Sequence, residues 1–213
     1  MADRQVVSVS DSSSSRRDNI TNLFIPRTNS SIIRAVHCLP NMIETERLLF
    51  RKFTLDDLPA LIEQRTDPDV YKYLGGTRLQ NPEALAKRIR FYISCYDTHG
   101  FGNSAMIWKE TGEMIGSSGL QPLDGTDEIE VGYTIIKAYW GRGIGTEAAR
   151  AWVDFGFRER GLDRIVAVAH TENWASRHIM EKLGMHYEKT EFHYGAECAF
   201  YAIGKDEFLG GGS

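Results

Sequence analysis

A glycine-rich segment between Tyr139 and Glu147 has the residue types and spacing of an anion-binding loop. Its glycines, Gly141, Gly143 and Gly145, alternate with other residues. Because glycine lacks a Cβ atom, the backbone of such a loop can approach a ligand closely. A helical period follows from residue 146, and the first N–H groups of a helix, with its positive dipole end, suit a pyrophosphate. The alternative interpretation is an ordinary glycine-rich connection between a strand and a helix.

Two common nucleotide-binding motifs do not fit this segment. It lacks the Lys and the Ser or Thr that complete a P-loop, and its Gly-x-Gly-x-Gly spacing differs from the fingerprint of dinucleotide-binding folds. No acidic residue stands at the distance expected for binding a ribose. The sequence therefore disfavours a nucleotide-dependent oxidoreductase.

The elements that must hold this loop are placed by their hydrophobic periods. A strand is predicted around Leu48 and Phe50, and Thr54 with Asp57 predicts a capped helix start after it. A second helix is predicted to begin at Asn81. The remaining predicted elements are strands at 103–109, 113–121 and 127–136, a helix at 146–159, a strand at 164–169, a helix at 174–183, and strands at 185–194 and 197–203. This mixed order predicts an α/β fold of the α+β kind, with a central mixed, mostly antiparallel sheet and helices on both faces.

The length favours one catalytic-sized domain. The chain has 213 residues, 42% of them hydrophobic, which suffices for one sizeable core and not comfortably for two. Residues 1–41 are rich in Ser, Arg and Asn without a sustained period, and we expect a disordered tail. An organelle transit peptide is the alternative, although Asp3, Asp11 and Asp18 are unusual in one. We expect the domain at 42–209 and a flexible glycine-rich end at 210–213.

Charge and cysteine content restrict the expected partners. The formal charge of −4 gives no basic footprint for nucleic acid, and no apolar stretch is long enough to span a membrane. Cys38, Cys95 and Cys198 are scattered, which implies no disulfide framework, and the context of Cys198 does not indicate an activated nucleophile. His186 and His193 lack the spacing of metal ligands, so we expect no metal. The expectation is a cytoplasmic monomer or homodimer.

Further motifs stand on both sides of the glycine-rich loop. The segment HTENWASR begins at His170 and EKLGM at Glu181, while IETERLL begins at Ile43, EVGY at Glu130 and WGRG at Trp140. Together they resemble the GNAT superfamily of N-acetyltransferases, and the last three resemble its RimJ/RimL branch of ribosomal-protein N-terminal acetyltransferases. The superfamily usually has Gln or Arg where Trp140 stands, and Trp is similar to what this branch shows. The resemblance covers residues 43 to 208.

The resemblance implies a GNAT-like fold and acetyl-CoA as co-substrate. Residues expected at the pyrophosphate are those of the loop and the helix start, Arg142, Gly143, Ile144, Gly145 and Thr146. The resemblance also implies that the strand carrying Val131, Gly132 and Thr134 splays from the one at 164–169 and admits the pantetheine arm, whose amides can bond to the exposed strand backbone. By the same resemblance, Asn173 touches this arm.

The implied reaction is direct attack of a primary amine on the acetyl thioester, without a covalent enzyme intermediate. By resemblance, a backbone N–H between Tyr133 and Ile135 stabilises the oxyanion, and Ser176 protonates the departing thiolate. Glu130 is the candidate base, acting through water, because strand alternation directs it to the same face as Gly132, which leaves an opening there.

Each of these residues also has a simpler interpretation. Glu130 could be a surface carboxylate on a strand, and Asn173 with Ser176 could be the N-cap of a helix and its solvent-facing neighbour. His170 ends a strand and could serve as the base, but histidines there are more often structural.

The acceptor is expected to be either a protein N-terminal amine or a small-molecule amine. An α-amine, with a pKa near 8, is deprotonated at neutral pH more often than a lysine-like amine near 10.4, so it demands less of a base. The alternative function is a non-catalytic acyl-CoA-binding regulatory module, in which the phosphate loop binds and no turnover occurs.

Overall fold

The computed structural model describes residues 43–74 and 81–211. Its strands are β1 (Leu48–Lys52), β2 (Asn103–Trp108), β3 (Met114–Pro122), β4 (Ile129–Ile135), β5 (Arg164–His170), β6 (His186–His193) and β7 (Ala196–Gly204). Its helices are α1 (Leu58–Gln64), α2 (Pro68–Tyr71), α3 (Pro82–His99), α4 (Ile144–Arg158), α5 (Trp174–Lys182) and α6 (Lys205–Gly210). All predicted elements are present, within a few residues of the expected bounds.

The seven strands of the described residues form one sheet in the order β1-β2-β3-β4-β5-β7-β6. Neighbouring strands are antiparallel, except that β4 and β5 are parallel and joined by the crossover helix α4. The predicted mixed, mostly antiparallel sheet is thereby confirmed. Because α4 enters directly after β4, the glycine-rich loop lies at the sheet's one parallel junction.

Helices cover both faces of this sheet. Successive strand residues point to opposite faces, and in β2 the neighbours Ala105 and Met106 belong to two different apolar clusters. The larger cluster contains Trp152 of α4, and the smaller contains Leu85 and Ile89 of α3. Burial of these apolar stripes holds α3 and α4 against opposite faces, so that both helices can contribute to a site between strands.

Short polar side chains fix the helix starts that the sequence predicts. Thr54 and Asp57 form a capping box, in which the Asp57 carboxylate accepts the backbone N–H of Thr54 at 2.8 Å. A 3₁₀ turn begins at this box and continues into α1. The Asn81 side chain caps α3 by accepting the N–H of Glu83 at 2.9 Å. The same local rule that predicts these caps therefore sets the entry points of the helices behind the site.

Two short helices escape sequence prediction. The four-residue helix α2 begins at Pro68 and is capped by Asp67, and its single turn is too brief to show a period. The final helix α6 includes Gly210, so the end expected to be flexible begins inside a helix. The predicted tail 1–41 lies outside the described residues, as do 212 and 213. None of the described helices is long and apolar enough to cross a membrane.

Candidate active site

The glycine-rich loop turns into α4 through two residues with left-handed backbone. Gly141 has φ +73° and Gly143, the N-cap of α4, has φ +75°. A side chain at either position would be strained, because L-residues rarely adopt this conformation. Of the described residues, a Cβ at Gly141 would meet nothing within 4 Å, and one at Gly143 would meet only the Arg47 guanidinium at 3.8 Å. The loop therefore presents bare backbone to open space at the positive end of α4.

An ion pair from the start of the domain holds this loop. Glu147, in the first turn of α4, accepts the Arg47 Nε–H at 2.6 Å and the Thr45 hydroxyl at 2.5 Å. Arg47 also donates to the Arg142 carbonyl at 3.0 Å. Burial acts to raise the pKa of Glu147, but the hydrogen bonds from Thr45 and Arg47 outweigh it and leave the pKa lowered. The carboxylate is thus held ionised and turned toward Arg47.

The side chains at the start of α4 face the protein rather than the loop. Ile144 is 1% exposed and belongs to the larger core. A Cβ at Gly145 would lie 2.7 Å from the Ile179 Cδ1 atom, so glycine there permits close packing of α5. Ile144, Gly145 and Thr146 are the first three residues of α4, and each can donate its backbone N–H to an anion.

The strands β4 and β5 separate immediately beyond their junction. β4 pairs with β3 along its whole length. Its parallel register with β5, within the described part of the chain, joins Glu130 to Val166 and extends no further. The splay expected between residues 131–134 and 164–169 is therefore present.

Beyond its junction with β5, one edge of β4 is not paired with another strand of the described residues. Ile136 donates its N–H to the Ile115 carbonyl on the β3 side at 2.9 Å, while the Ile135 carbonyl accepts the Trp140 indole N–H at 2.8 Å on the other side. Since backbone groups of successive strand residues point to alternate edges, the N–H groups of Tyr133 and Ile135 face the cleft. These two donors lie in the segment where an oxyanion donor is predicted.

A cavity of about 260 Å³ lies at this splayed edge, lined by residues 130–134. Side chains alternate along β4, so Glu130 faces one side of the sheet and Tyr133 the other. The cavity receives Tyr92 from α3 on one side and Ser176 from α5 on the other. A Cβ at Gly132 would find its nearest neighbour, an Asn103 nitrogen, 3.7 Å away, so glycine leaves this stretch of wall open.

Glu130 is buried in the wall of the cavity. It is 4% exposed, which shows that the alternative of a surface carboxylate is wrong. Its Oε1 atom accepts a hydrogen bond from Gln121 Nε2 at 2.5 Å and another from the Tyr194 hydroxyl. Burial raises the pKa of Glu130, and the hydrogen bonds from Tyr194 and Gln121 and the charges of Arg88 and His193 offset this in part. A carboxyl group with a raised pKa in a cavity is well suited to accept a proton.

Tyr194 reaches Glu130 from a strained turn. It is the non-glycine residue with positive φ, +54°, in the described part of the chain, and Gly195 follows with φ +86°. Both central residues of this β6–β7 hairpin are left-handed, as a two-residue type I′ turn requires. The predicted strands at 185–194 and 197–203 leave a turn between them but include Tyr194 in the first strand, and no role for Tyr194 is predicted, although a tyrosine where Asn or Gly is usual was an available signal.

Tyr133 and Ser176, predicted separately, lie together. The Tyr133 hydroxyl lies 2.9 Å from the Ser176 hydroxyl and donates to the Ser176 carbonyl at 3.0 Å. Burial raises the pKa of Tyr133, which keeps its proton in place. Asn173 caps α5, since its Oδ1 accepts the N–H of Ser176 at 3.1 Å. Its side-chain oxygen therefore takes part in the cap, while its side-chain amide nitrogen can donate to a ligand.

The other residues considered from the sequence have structural partners. His170 Nδ1 accepts the N–H of Glu172 at 3.2 Å. This bond agrees with a structural role for His170 rather than with a role as the base. Burial raises the pKa of the Cys198 thiol, which opposes thiolate formation. Within residues 43–74 and 81–211, no three His, Cys, Asp or Glu side chains come together as metal ligands would.

Comparison with known proteins agrees with this architecture. Residues 47–186 match the acetyltransferase (GNAT) domain family. An uncharacterized N-acetyltransferase named p20, from Bacillus licheniformis, is 33% identical over 146 residues, which cover 68% of this chain and 82% of that protein. The crystal structure of a GNAT-family acetyltransferase from Bacillus anthracis has a TM-score of 0.66 and 29% identity, over 78% of this chain and 100% of that one. RimL, a ribosomal L7/L12 α-N-protein acetyltransferase seen in complex with coenzyme A, shares the fold, with a TM-score of 0.65 and 18% identity over 77% of this chain and 98% of its own.

Proposed function

Because the chain belongs to the GNAT family of acetyltransferases, which use acetyl-CoA, we propose that it transfers acetyl to a primary amine by direct attack in the cleft between β4 and β5. One observation carries the proposal. Glu130, whose carboxylate is buried, and Tyr133, whose backbone N–H faces the splayed edge of β4, line the same cavity, so a base and an oxyanion donor can act on one bound thioester.

In the proposed complex, the pyrophosphate of acetyl-CoA lies on the N-terminus of α4. The left-handed glycines Gly141 and Gly143 give access to the backbone, and Arg142 adds a positive charge beside it. The pantetheine arm follows the free edge of β4, bonding to its backbone as an added strand would, and the Asn173 amide nitrogen reaches it. The coenzyme A seen in RimL supports this, since both chains share the fold.

The proposed chemistry uses residues on both faces of the sheet. The amine nitrogen attacks the thioester carbonyl, forming the N–C bond, while an N–H group of Tyr133 or Ile135 stabilises the oxyanion. Glu130 takes the amine proton, directly or through water, and the C–S bond then breaks. The Tyr133–Ser176 hydroxyl pair supplies a proton to the departing thiolate. Free thiols have a pKa near 8.5, so this last step needs only modest help.

The acceptor in this proposal is either a protein N-terminal amine or a small-molecule amine. Chemistry favours an α-amine, whose pKa near 8 leaves a larger deprotonated fraction at neutral pH than a lysine-like amine has. A cytoplasmic place of action is part of the proposal. It is supported by the free thiols of Cys95 and Cys198, which suit a reducing compartment.

The first test is calorimetric titration with acetyl-CoA of Gly143→Ala against a matched control, Gly125→Ala. Gly125 has φ +76° in the open β3–β4 turn, so both variants introduce the same backbone strain, about 1–2 kcal/mol. We expect similar loss of stability in both, and at least about tenfold weaker acetyl-CoA binding in Gly143→Ala alone. Equal affinity in the two variants would remove the loop from the binding site.

Turnover is tested separately, by following thiol release with a library of amines. Release that depends on an added amine supports the transferase. Tight acetyl-CoA binding without release for any amine would instead favour the regulatory module, and no binding to a folded sample would refute both.

A further inference from the structure

Two arginines face the cavity from the side of α1 and α3. Arg65, the C-cap residue directly after α1, is 7% exposed. Its Nε and Nη1 atoms have no hydrogen-bond partner among the described residues. Arg88, on α3, is half-buried, with its guanidinium carbon 5.9 Å from the ring centres of both Tyr92 and Tyr194. Both arginines line the same cavity as Glu130.

Neither arginine forms an ion pair with any carboxylate that the structure describes, although other arginines of the domain do. Arg51 binds Asp57 with two bonds of 2.8 and 2.6 Å, and Arg47 binds Glu147. The carboxylate in the cavity lining, Glu130, accepts hydrogen bonds from Gln121 and Tyr194 instead. Within the described residues, Arg47 and Arg51 are thus paired with carboxylates, whereas Arg65 and Arg88, which line the cavity, are not.

A buried cation without a partner is energetically costly, and two of them near each other more so. Burial lowers the pKa of Arg65, and it outweighs Tyr92, which raises this pKa; the like charge of Arg88 lowers it further by a smaller amount. The ordinary pKa of arginine is so high that the group still carries its charge at neutral pH. Such a site gains most from a bound anion, because a planar guanidinium matches a carboxylate with two parallel hydrogen bonds.

The opposite wall offers acceptors instead of donors. Asn103 and Gln121 are buried, at 5% and 6% exposure, and their side-chain carbonyl oxygens lack hydrogen-bond partners among the described residues. With the Glu130 carboxylate they form an acceptor-rich wall suited to an amine N–H group. The cavity therefore has one end for an amine and another for an anion.

We propose that Arg65 and Arg88 bind a carboxylate of the acceptor, so that the substrate is an amino carboxylate with its amine toward Glu130. This inference rests on the proposed acetyl transfer and specifies its substrate class. Two kinds of substrate carry an amine and a carboxylate close together. One is a free amino acid, and the other is a peptide N-terminus with an acidic side chain in its first two residues.

Binding is tested first, because it does not require turnover. The CoA-saturated protein is titrated calorimetrically with N-acetylglycine and N-acetyl-L-glutamate, which resemble the acetylated products of the proposed reaction. The comparison compounds are the same molecules with their carboxylates replaced by carboxamides. We expect at least one acid to bind about tenfold or more tightly than its amide, as charge-assisted hydrogen bonds predict. Arg65→Met and Arg88→Gln should abolish this preference, while Arg90→Gln, on the exposed side of α3, should retain it.

The folding of these variants is checked in parallel. Arg65→Met keeps an unbranched side chain and removes the buried charge, so its Tm should not fall below that of the wild type. Should Arg65→Met nevertheless fail to fold, the half-buried Arg88→Gln decides the outcome. Equal affinity for acids and amides in the wild type, or an unchanged preference in folded Arg65→Met and Arg88→Gln, would overturn the carboxylate subsite.

Thiol release then distinguishes the two sources. Free amino acids are compared with their amides, and C-terminally amidated peptides with Asp or Glu in their first two residues are compared with Asn or Gln counterparts. A higher kcat/KM for the acid in either arm, lost in Arg88→Gln, supports the subsite and identifies the source. Equal turnover of acids and amides would refute the subsite and leave acetyl transfer intact, whereas absent acetyl-CoA binding would refute the transfer itself.

Discussion

Replacement of Glu130 by Gln separates the chemistry of the cavity from its architecture. Gln keeps a carbonyl oxygen where Gln121 and Tyr194 donate, so the wall of the cavity should persist. It cannot take a proton from the amine. A positioned general base contributes about 10²–10⁴-fold, so kcat/KM should fall by that factor. Acetyl-CoA affinity should not change, because no cofactor contact is assigned to this side chain.

The same variant should be more stable than the wild type at neutral pH. Burial raises the pKa of Glu130 in the folded state above its unfolded value, so its favourable contribution is complete below the unfolded pKa and is lost as pH rises through the folded one. Between these two pKa values, the stability difference should shift toward the variant by about 1.4 kcal/mol per pH unit. Denaturant unfolding from pH 4 to pH 8 measures this, with Arg88, His193 and Tyr194 as the charged or titratable neighbours common to both proteins.

The pH–rate profile supplies the third observation. Since the base must be ionised, the acidic limb of kcat/KM should lie above the ordinary range of a glutamate, and it should vanish in Glu130→Gln. Glu128→Gln is the matched control, because that carboxylate pairs with Arg164 at 3.2 Å and lies outside the cavity. Wild-type kcat/KM in Glu130→Gln, or an equal loss in Glu128→Gln, would refute the assignment of the base.

Three further predictions concern the positions around the proposed cofactor site. Gly145→Ala should destabilise the domain by about 1–3 kcal/mol through overpacking, and Ile179→Val, which removes the contacting Cδ1 atom, should restore most of it in denaturant unfolding. Tyr133→Phe and Ser176→Ala should each lower kcat by roughly tenfold, and the double variant by little more, because the two hydroxyls act as one donor. Glu147→Gln should lose about 1–3 kcal/mol of stability at neutral pH. The stability difference between Glu147→Gln and the wild type should shrink as pH falls through the lowered folded-state pKa of Glu147. The ionised carboxylate stabilises the wild type fully above its unfolded pKa, and this stabilisation is lost as pH falls.

The sequence predicts those features whose causes are local. Alternation identifies β4, an apolar period identifies α4, and single polar residues such as Asn81 mark helix starts. The loop belongs to the same class, because glycine at 141 and 143 directly reports the left-handed backbone that the turn into α4 requires. These features account for nearly all of the fold and for the proposed phosphate site.

The acceptor side of the cavity has causes that are distant in sequence. Glu130 is in contact with Tyr194, 64 residues further along the chain, and Arg65 and Arg88 line the cavity from the end of α1 and from α3, which are also distant from Glu130 in sequence. From the sequence alone, a glutamate on a strand is equally consistent with a surface position, because its partners here, Gln121 on β3 and Tyr194 in the β6–β7 turn, are set by tertiary packing. The sequence therefore predicts the proposed cofactor site in more detail than the proposed acceptor site.

The β6–β7 turn shows how a local departure from the expected residue can point to such a distant cause. A type I′ turn favours Asn or Gly at both central positions. Steric repulsion makes a left-handed backbone at a tyrosine unfavourable by about 1–2 kcal/mol. Strain of this kind persists only where the surrounding structure overrides it. Here the tyrosine places its hydroxyl on Glu130 and its ring beside Arg88, between the amine end and the anion end of the cavity. The strained residue thus connects the proposed base to the proposed carboxylate subsite, and the unfavourable turn residue has its explanation in the cavity rather than in the hairpin.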